Sequence, residues 1–330
     1  MDISFIVPVY KTPRHLLRDS LGSIVAIQDC EIEILCVIDS PGDECESVVW
    51  EIADVDSRVK VVKNDRNRGA AYSRNKALGI ATGEFVSFVD SDDTIEHEVY
   101  EEMFKVATRR RLSACSCKAV GEKRHCGVEY GKWGFERSPC THAFQMGACA
   151  ALWRSTCIKS NCIKFPEDLR HNEDFVFVTR FLQLGLPLGF YNKRGYNYIK
   201  RSESVSRSAN SARLVLDQAK SAKYILDVLG KVMLNGNDAR WYARRIMWNL
   251  FGDWGAVKGL ADCDRNKYVE LLSQILPAYL ASCGFAISRT EKFLVGLIAV
   301  QPQRVISYPV LCYWPLRVLM QIKARFADGD

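Results

Sequence analysis

The 330-residue sequence lacks several patterns that would fix its class at once. No two of its 13 cysteines stand in the CxxC spacing of a zinc knuckle, and they are scattered without the regularity of a disulfide scaffold. The opening MDISFIVPVY has no basic region leading into an apolar signal core. Together these absences imply a reducing, cytosolic compartment. No extended basic run and no interleaving of aromatic with basic residues appears, so nucleic acid is not an expected partner. The net charge of +6 leaves room for a basic face that meets a polyphosphate ligand or an anionic membrane. Cys115, Cys117, His125, Cys126, Cys140 and His142 are soft ligands close in sequence, but buried cysteines in the strand-like ACSCKAV explain them better than zinc.

What remains is an ordinary globular composition, 48% hydrophobic and 25% charged, in a chain long enough for one large domain or two smaller ones. ISFIVPVY (3–10) is a β-branched and aromatic run stopped by KTP, as expected of a central strand. Residues 13–27 carry apolar side chains near helical spacing, with Pro13 at the start. EIEILCVID (31–39) and RVKVVKND (58–65) predict further strands. RGAAYSRNKALGIA (68–81) predicts a helix on which Ala71, Arg74, Asn75 and Leu78 share a face. Strands alternating with helices imply an α/β fold with a mostly parallel sheet flanked by helices.

The next strand, in FVSFVDSDD (85–93), runs straight into three carboxylates, Asp90, Asp92 and Asp93. Like charges this close repel unless they are solvated or share a cation. A surface turn satisfies them, since Asp and Ser are ordinary turn residues. A divalent cation carrying a phosphate-bearing ligand also does, because carboxylates are hard oxygen ligands. Ligands of parallel α/β sheets bind at the carboxyl ends of strands, and that rule gathers Pro8 to Tyr10, Asp39 and Asp90 to Asp93 on one rim.

Several segments, in order, resemble the family 2 glycosyltransferases of the GT-A fold. FIVPVY is similar to the family's first strand, and Asp39 in CVIDSPGDE stands where the family's base-reading aspartate stands. NRGAAYSRNKAL resembles its Asn-x-Gly to Arg-Asn segment, and GEFVSFVDSDD resembles the strand leading to its metal-binding DxD. ALWRSTCIKSNCIKFPEDLRHNEDFVF resembles the acceptor half with its Glu-Asp pair, here Glu173 and Asp174. YNYIKRSESVSRS is similar to the Tyr-x-Tyr, basic, Ser-x-Ser segment. The likeness covers roughly residues 1–210 and departs at Ile38, where the family often has a first acid before the second.

The resemblance implies an inverting transferase that moves a sugar from a nucleoside diphosphate, most simply a UDP-sugar, to an acceptor hydroxyl. It implies Asp92 as the direct ligand of Mn²⁺ or Mg²⁺, with Asp90 on the ribose or a metal-bound water. Pro8, Tyr10, Asp39, Arg74 and Ser91 would complete the nucleotide-sugar site, with Arg74 approaching the diphosphate. Asp174 is the expected base, although acids also favour the first turn of a helix for dipole reasons. Glu173 is expected to orient the acceptor or cap that helix, and His171 either touches a phosphate or lies on the surface.

The expected domains are 1–208, with a nucleotide-sugar half (1–110) and an acceptor half (111–208), and a helical region over 209–330. NDARW (237–241) resembles the Gln-x-x-Arg-Trp signature of processive polysaccharide synthases, but Asn237 replaces the glutamine and no transmembrane bundle follows. The tail around 293–325 is interrupted by Arg304, Pro309 and Pro315, too broken to span a membrane. It reads either as a helix lying on an anionic membrane face or as core and dimer packing. Membrane contact would suit an enzyme extending a lipid-linked capsule, lipopolysaccharide or exopolysaccharide precursor at the inner face of the plasma membrane. Two rivals stand: a catalytically silent nucleotide-sugar-binding subunit of an assembly complex, and a nucleotidyltransferase, which would want a Gly-rich loop that VYKTPRH lacks.

Overall fold

The computed structural model describes residues 1–120, 133–136, 147–199, 211–229, 236–251, 256–257, 259–283, 289, 295–296 and 298–299. Two compact units divide the chain, Met1–Ser202 and Glu203–Asp330.

The first unit opens with β1 (Ile3–Val9), α1 (Arg14–Val25), β2 (Ile32–Ile38), α2 (Glu44–Ala53), β3 (Val59–Lys63), α3 (Ala70–Ile80) and β4 (Phe85–Phe88). β1 and β2 are buried almost throughout because helices cover both faces of a parallel sheet. Their side chains therefore read as continuous apolar runs rather than as alternation. β5 (Thr94–Ile95), α4 (His97–Arg109), β6 (Ala114–Val120), β7 (Trp133–Glu136), β8 (Ala151–Arg154), α5 (Ser155–Ser160), α6 (Glu173–Leu182) and β9 (Leu188–Asn197) complete the unit.

The sheet order is β3-β2-β1-β4-β8-β6-β9-β5, with β7 on β9. From β3 to β4 all pairings are parallel. Beyond β4 the sheet is mixed: β8 runs antiparallel to β4 and β6, β9 is parallel to β6, and β5 and β7 are antiparallel to β9. The mostly parallel sheet of the sequence reading thus describes the first half, where strand and crossover helix alternate. After β1, the chain adds β2 and β3 on one side and then returns to place β4 on the other. This reversal opens a crevice at the carboxyl ends of β1 and β4.

One aromatic stack joins the halves of this unit. Phe165 and Phe177 lie parallel with centroids 4.3 Å apart, Phe88 meets both edge-on, and Trp153 meets Phe177 and Phe181. All five side chains are buried, so the floor of the crevice is apolar and rigid.

In the second unit, α7 (Ser211–Leu229), α8 (Gly236–Phe251) and α9 (Asp262–Cys283) pack on one another, and Ile225, Ile246 and Leu276 are among their buried residues. Asn249 on α8 donates to the Ser221 hydroxyl of α7 at 3.2 Å. None of the described helices is long and apolar enough to cross a membrane. The tail expectation over 293–325 and the Ser-x-Ser segment after Ile199 fall outside the described residues, apart from isolated positions.

Candidate active site

β4 ends at Phe88, before the acids, so strand alternation does not orient Asp90 and Asp92. A tight turn follows instead, closed by the Asp93 amide donating to the Asp90 carbonyl at 3.0 Å. The turn leaves Asp90 and Asp92 half-buried and drives Asp93 inward to 1% exposure. Asp93 there accepts the Tyr196 hydroxyl at 2.7 Å and the Ile199 amide at 2.8 Å. Burial first, then the Asp90 charge, pushes the Asp93 carboxyl up to about 7, with Asp92 adding to it. The third acid of the cluster is therefore an internal fastener for β9, a role that local sequence could not reveal.

Ser91 is buried, and its hydroxyl lies 2.6 Å from that of Thr12, tying the loop after β1 to the loop after β4 across the crevice. Pro8 and Tyr10 are half-buried at the end of β1, and Lys11, just beyond, holds φ +46 with its ammonium over the Tyr10 ring. Asp39 stands behind the rim rather than on it. It is 2% exposed, and its carboxylate accepts Asn64 Nδ2 at 2.8 Å and the amides of Arg68 and Gly69, each at 2.7 Å. These bonds make Asp39 the organiser of the β3–α3 loop and leave Oδ2 with one of its acceptor sites unused by them.

Arg74, expected to approach the diphosphate, is buried rather than solvated. It is 5% exposed, with Nη2 donating to Asp90 Oδ1 at 2.8 Å and Nη1 to Glu173 Oε1 at 2.9 Å. Its guanidinium sits 5.3 Å from the Phe165 ring centroid. Burial opposes the charge, but Asp90 and Glu173 more than compensate and hold Arg74 firmly protonated. Its Nε has no acceptor among the described residues. The sequence had an available signal here: an arginine on the same helix face as Ala71 and Leu78 needs a buried carboxylate.

Glu173 and Asp174 begin α6 after Asn172, which takes a left-handed φ of +64. Glu173 turns inward to Arg74 and is buried, and its carboxylate also draws on its own main-chain amide at the start of α6. Burial and then the Asp174 charge push its carboxyl up to about 7, against the pull of Arg74. Asp174 is half-buried, with Oδ1 accepting the Phe175 amide at 2.7 Å. His171 is half-buried on the loop just before. Arg74 thus links Asp90, in the turn after β4, to Glu173 at the start of α6, where Asp174 is the next residue.

Among the described residues, no three His, Cys, Asp or Glu side chains gather into a protein cage for a metal. Cys115 and Cys117 are buried in β6, where burial pushes the Cys115 thiol up to about 12 and the Cys117 thiol also upward. His125, Cys126, Cys140 and His142 lie outside the described residues.

Residues 4–151 match the family model described as glycosyl transferase family 2. The chain is 28% identical over 264 residues to the uncharacterized glycosyltransferase YibD of Escherichia coli, covering 74% of this chain and 73% of that one. It is 37% identical over 208 residues to the putative glycosyltransferase EpsH of Bacillus subtilis, covering 59% and 60%. Among solved structures it is similar to Staphylococcus aureus TarS 1–349 in complex with UDP-GlcNAc, with a TM-score of 0.73 at 20% identity over 93% of this chain and 90% of that one. The strand order and these matches agree: residues 4–151 match glycosyl transferase family 2, and the fold is the GT-A fold of the TarS structures.

Proposed function

We propose that the protein transfers a sugar from a nucleoside diphosphate donor, a UDP-sugar, to a hydroxyl of a surface-glycan or lipid-linked acceptor, with inversion at the anomeric carbon. One observation carries the reading. Arg74 joins Asp90, at the end of β4, to Glu173, the neighbour of Asp174, so the donor-side acids and the candidate base share one crevice.

Asp174 accepts the proton of the acceptor hydroxyl as that oxygen bonds to the anomeric carbon, and the bond to the diphosphate oxygen breaks on the opposite face. One displacement inverts the centre and releases the nucleoside diphosphate. Asp92 suits Mn²⁺ or Mg²⁺ as the direct ligand, with Asp90 toward the ribose or a metal-bound water, since donor phosphates and water would complete an oxygen shell without a protein cage. A cation bound there neutralises the charge that grows on the diphosphate. The named ligands of similar structures support the donor class: TarS is known with UDP and UDP-GlcNAc, and the Pyrobaculum calidifontis mannosyltransferase PcManGT with GDP-Man and Mn²⁺. Among relatives, ExoO of Rhizobium meliloti is named for succinoglycan biosynthesis, which supports a glycan acceptor. Acceptors of that kind suit a site at the cytoplasmic membrane face.

Calorimetric titration with UDP, with and without Mn²⁺, tests the donor claim, followed by hydrolysis of a panel of UDP-sugars. Binding should require the metal, vanish with EDTA and fall in Asp92→Ala. Absence of UDP binding under every metal condition would overturn the UDP-sugar reading.

A further inference from the structure

Arg74 is buried on α3, and both of its terminal nitrogens are bonded to carboxylates, one from each half of the unit. A planar guanidinium offers two N–H groups in a fixed fork, whereas a lysine ammonium is a point charge on a flexible stem. The fork therefore sets a separation between Asp90 and Glu173 as well as neutralising them. The surface beneath it is held by the same helix. The guanidinium lies over Phe165, and the next residue, Asn75, donates to the Phe165 carbonyl and accepts the Phe165 amide, both at 2.9 Å. Phe165 in turn stacks on Phe177 of α6, one turn beyond Glu173. Consecutive residues of α3 thus grip the start of α6 by charge and by stacking.

We propose that Arg74 is a positioning residue that aims Asp174 at the donor. Glu173 and Asp174 are adjacent in the first turn of α6, so an anchor on Glu173 holds the stretch of backbone from which Asp174 projects. Asp90 anchors the far end of the link beside Asp92. Arg74 acts through these acids and leaves the diphosphate to other groups. The inference rests on the assignment of Asp174 as base.

The test compares wild type, Arg74→Lys, Glu173→Gln and the double variant. It reads kcat and KM for donor turnover, UDP affinity by calorimetry, and folding by circular dichroism. Arg74→Lys keeps the charge and loses the fork, so kcat should fall about 100-fold, as for a misplacement near 1 Å, with UDP affinity within about twofold. Glu173→Gln keeps shape and an acceptor oxygen, so it probes the same link without opening the core. Its loss should be similar, and the double variant should lose little more than either single one. A guanidinium salt should restore part of the rate to Arg74→Ala, and the same concentration of sodium chloride should not. Wild-type kcat in Arg74→Lys, or a loss explained wholly by UDP affinity, would overturn the proposal, as would additive losses in the double variant. A wild-type chain that turns over no nucleoside diphosphate sugar would instead overturn the glycosyltransfer reading, and the inference with it.

Discussion

A Cβ placed on Gly147 would stand 1.8 Å from Oδ2 of Asp174, so the candidate base rests directly on this stretch of backbone. Gly147 also holds φ +68, a conformation that L side chains rarely adopt. Gly147→Ala should therefore displace Asp174 and lower donor turnover about 100-fold, in line with a small misplacement of a catalytic group. Steady-state kinetics beside UDP calorimetry checks this: affinity should hold while kcat falls. A wild-type rate would mean that the carboxylate can shift without consequence.

Asn75 mimics a peptide edge, bonding both the amide and the carbonyl of Phe165 at 2.9 Å and reaching Glu167 at 2.9 Å. Asn75→Ala strands the Phe165 main chain and should cost about 1–3 kcal/mol in urea unfolding. Asn75→Asp keeps the acceptor but turns a carboxylate oxygen toward the Phe165 carbonyl and Glu167, so it should cost more. The reverse order would contradict the bonding pattern.

Glu33 and Glu173 predict opposite responses to pH. Glu33 is 1% exposed in β2, and burial alone would raise its carboxyl, but Lys60, Ser4 and Thr82 hold it down at about 2. A carboxyl lowered on folding adds stability above its ordinary value of 4.5, and that stability is lost as pH falls toward 2. Glu33→Gln should flatten this acid limb and cost on the order of 2–3 kcal/mol at neutral pH.

Glu173 runs the other way, because burial leads and its folded value rises to about 7. Its contribution is present below 4.5 and is lost as pH rises through 7. The stability of wild type relative to Glu173→Gln should therefore decline between those limits. A difference that grows with pH would show that Arg74 outweighs burial.

The strands and helices of residues 3–39 and 58–88 are legible because apolar runs and helical spacing are local signals, and each element lies within a few residues of its expected limits. α2 escaped notice because Pro41, Gly42 and Asp43 announce a turn and the helix after it is short. The roles of Asp93, Asp39 and Arg74 were not legible, since their partners are set by the tertiary fold. Asp93 reaches Tyr196, Asp39 reaches Asn64, and Arg74 reaches Glu173. For Arg74 the visible clue was a charged group on a helix face shared with Ala71 and Leu78, as it was for Glu33 inside the apolar EIEILCVID.

Asp174→Asn tests the central claim most directly, because it keeps the shape of the side chain and removes its capacity to take a proton. Turnover of the donor should fall about 100-fold to 10,000-fold, the span expected for loss of a general base, while UDP binding with Mn²⁺ stays as in wild type. Turnover near the wild-type rate in Asp174→Asn would contradict the account.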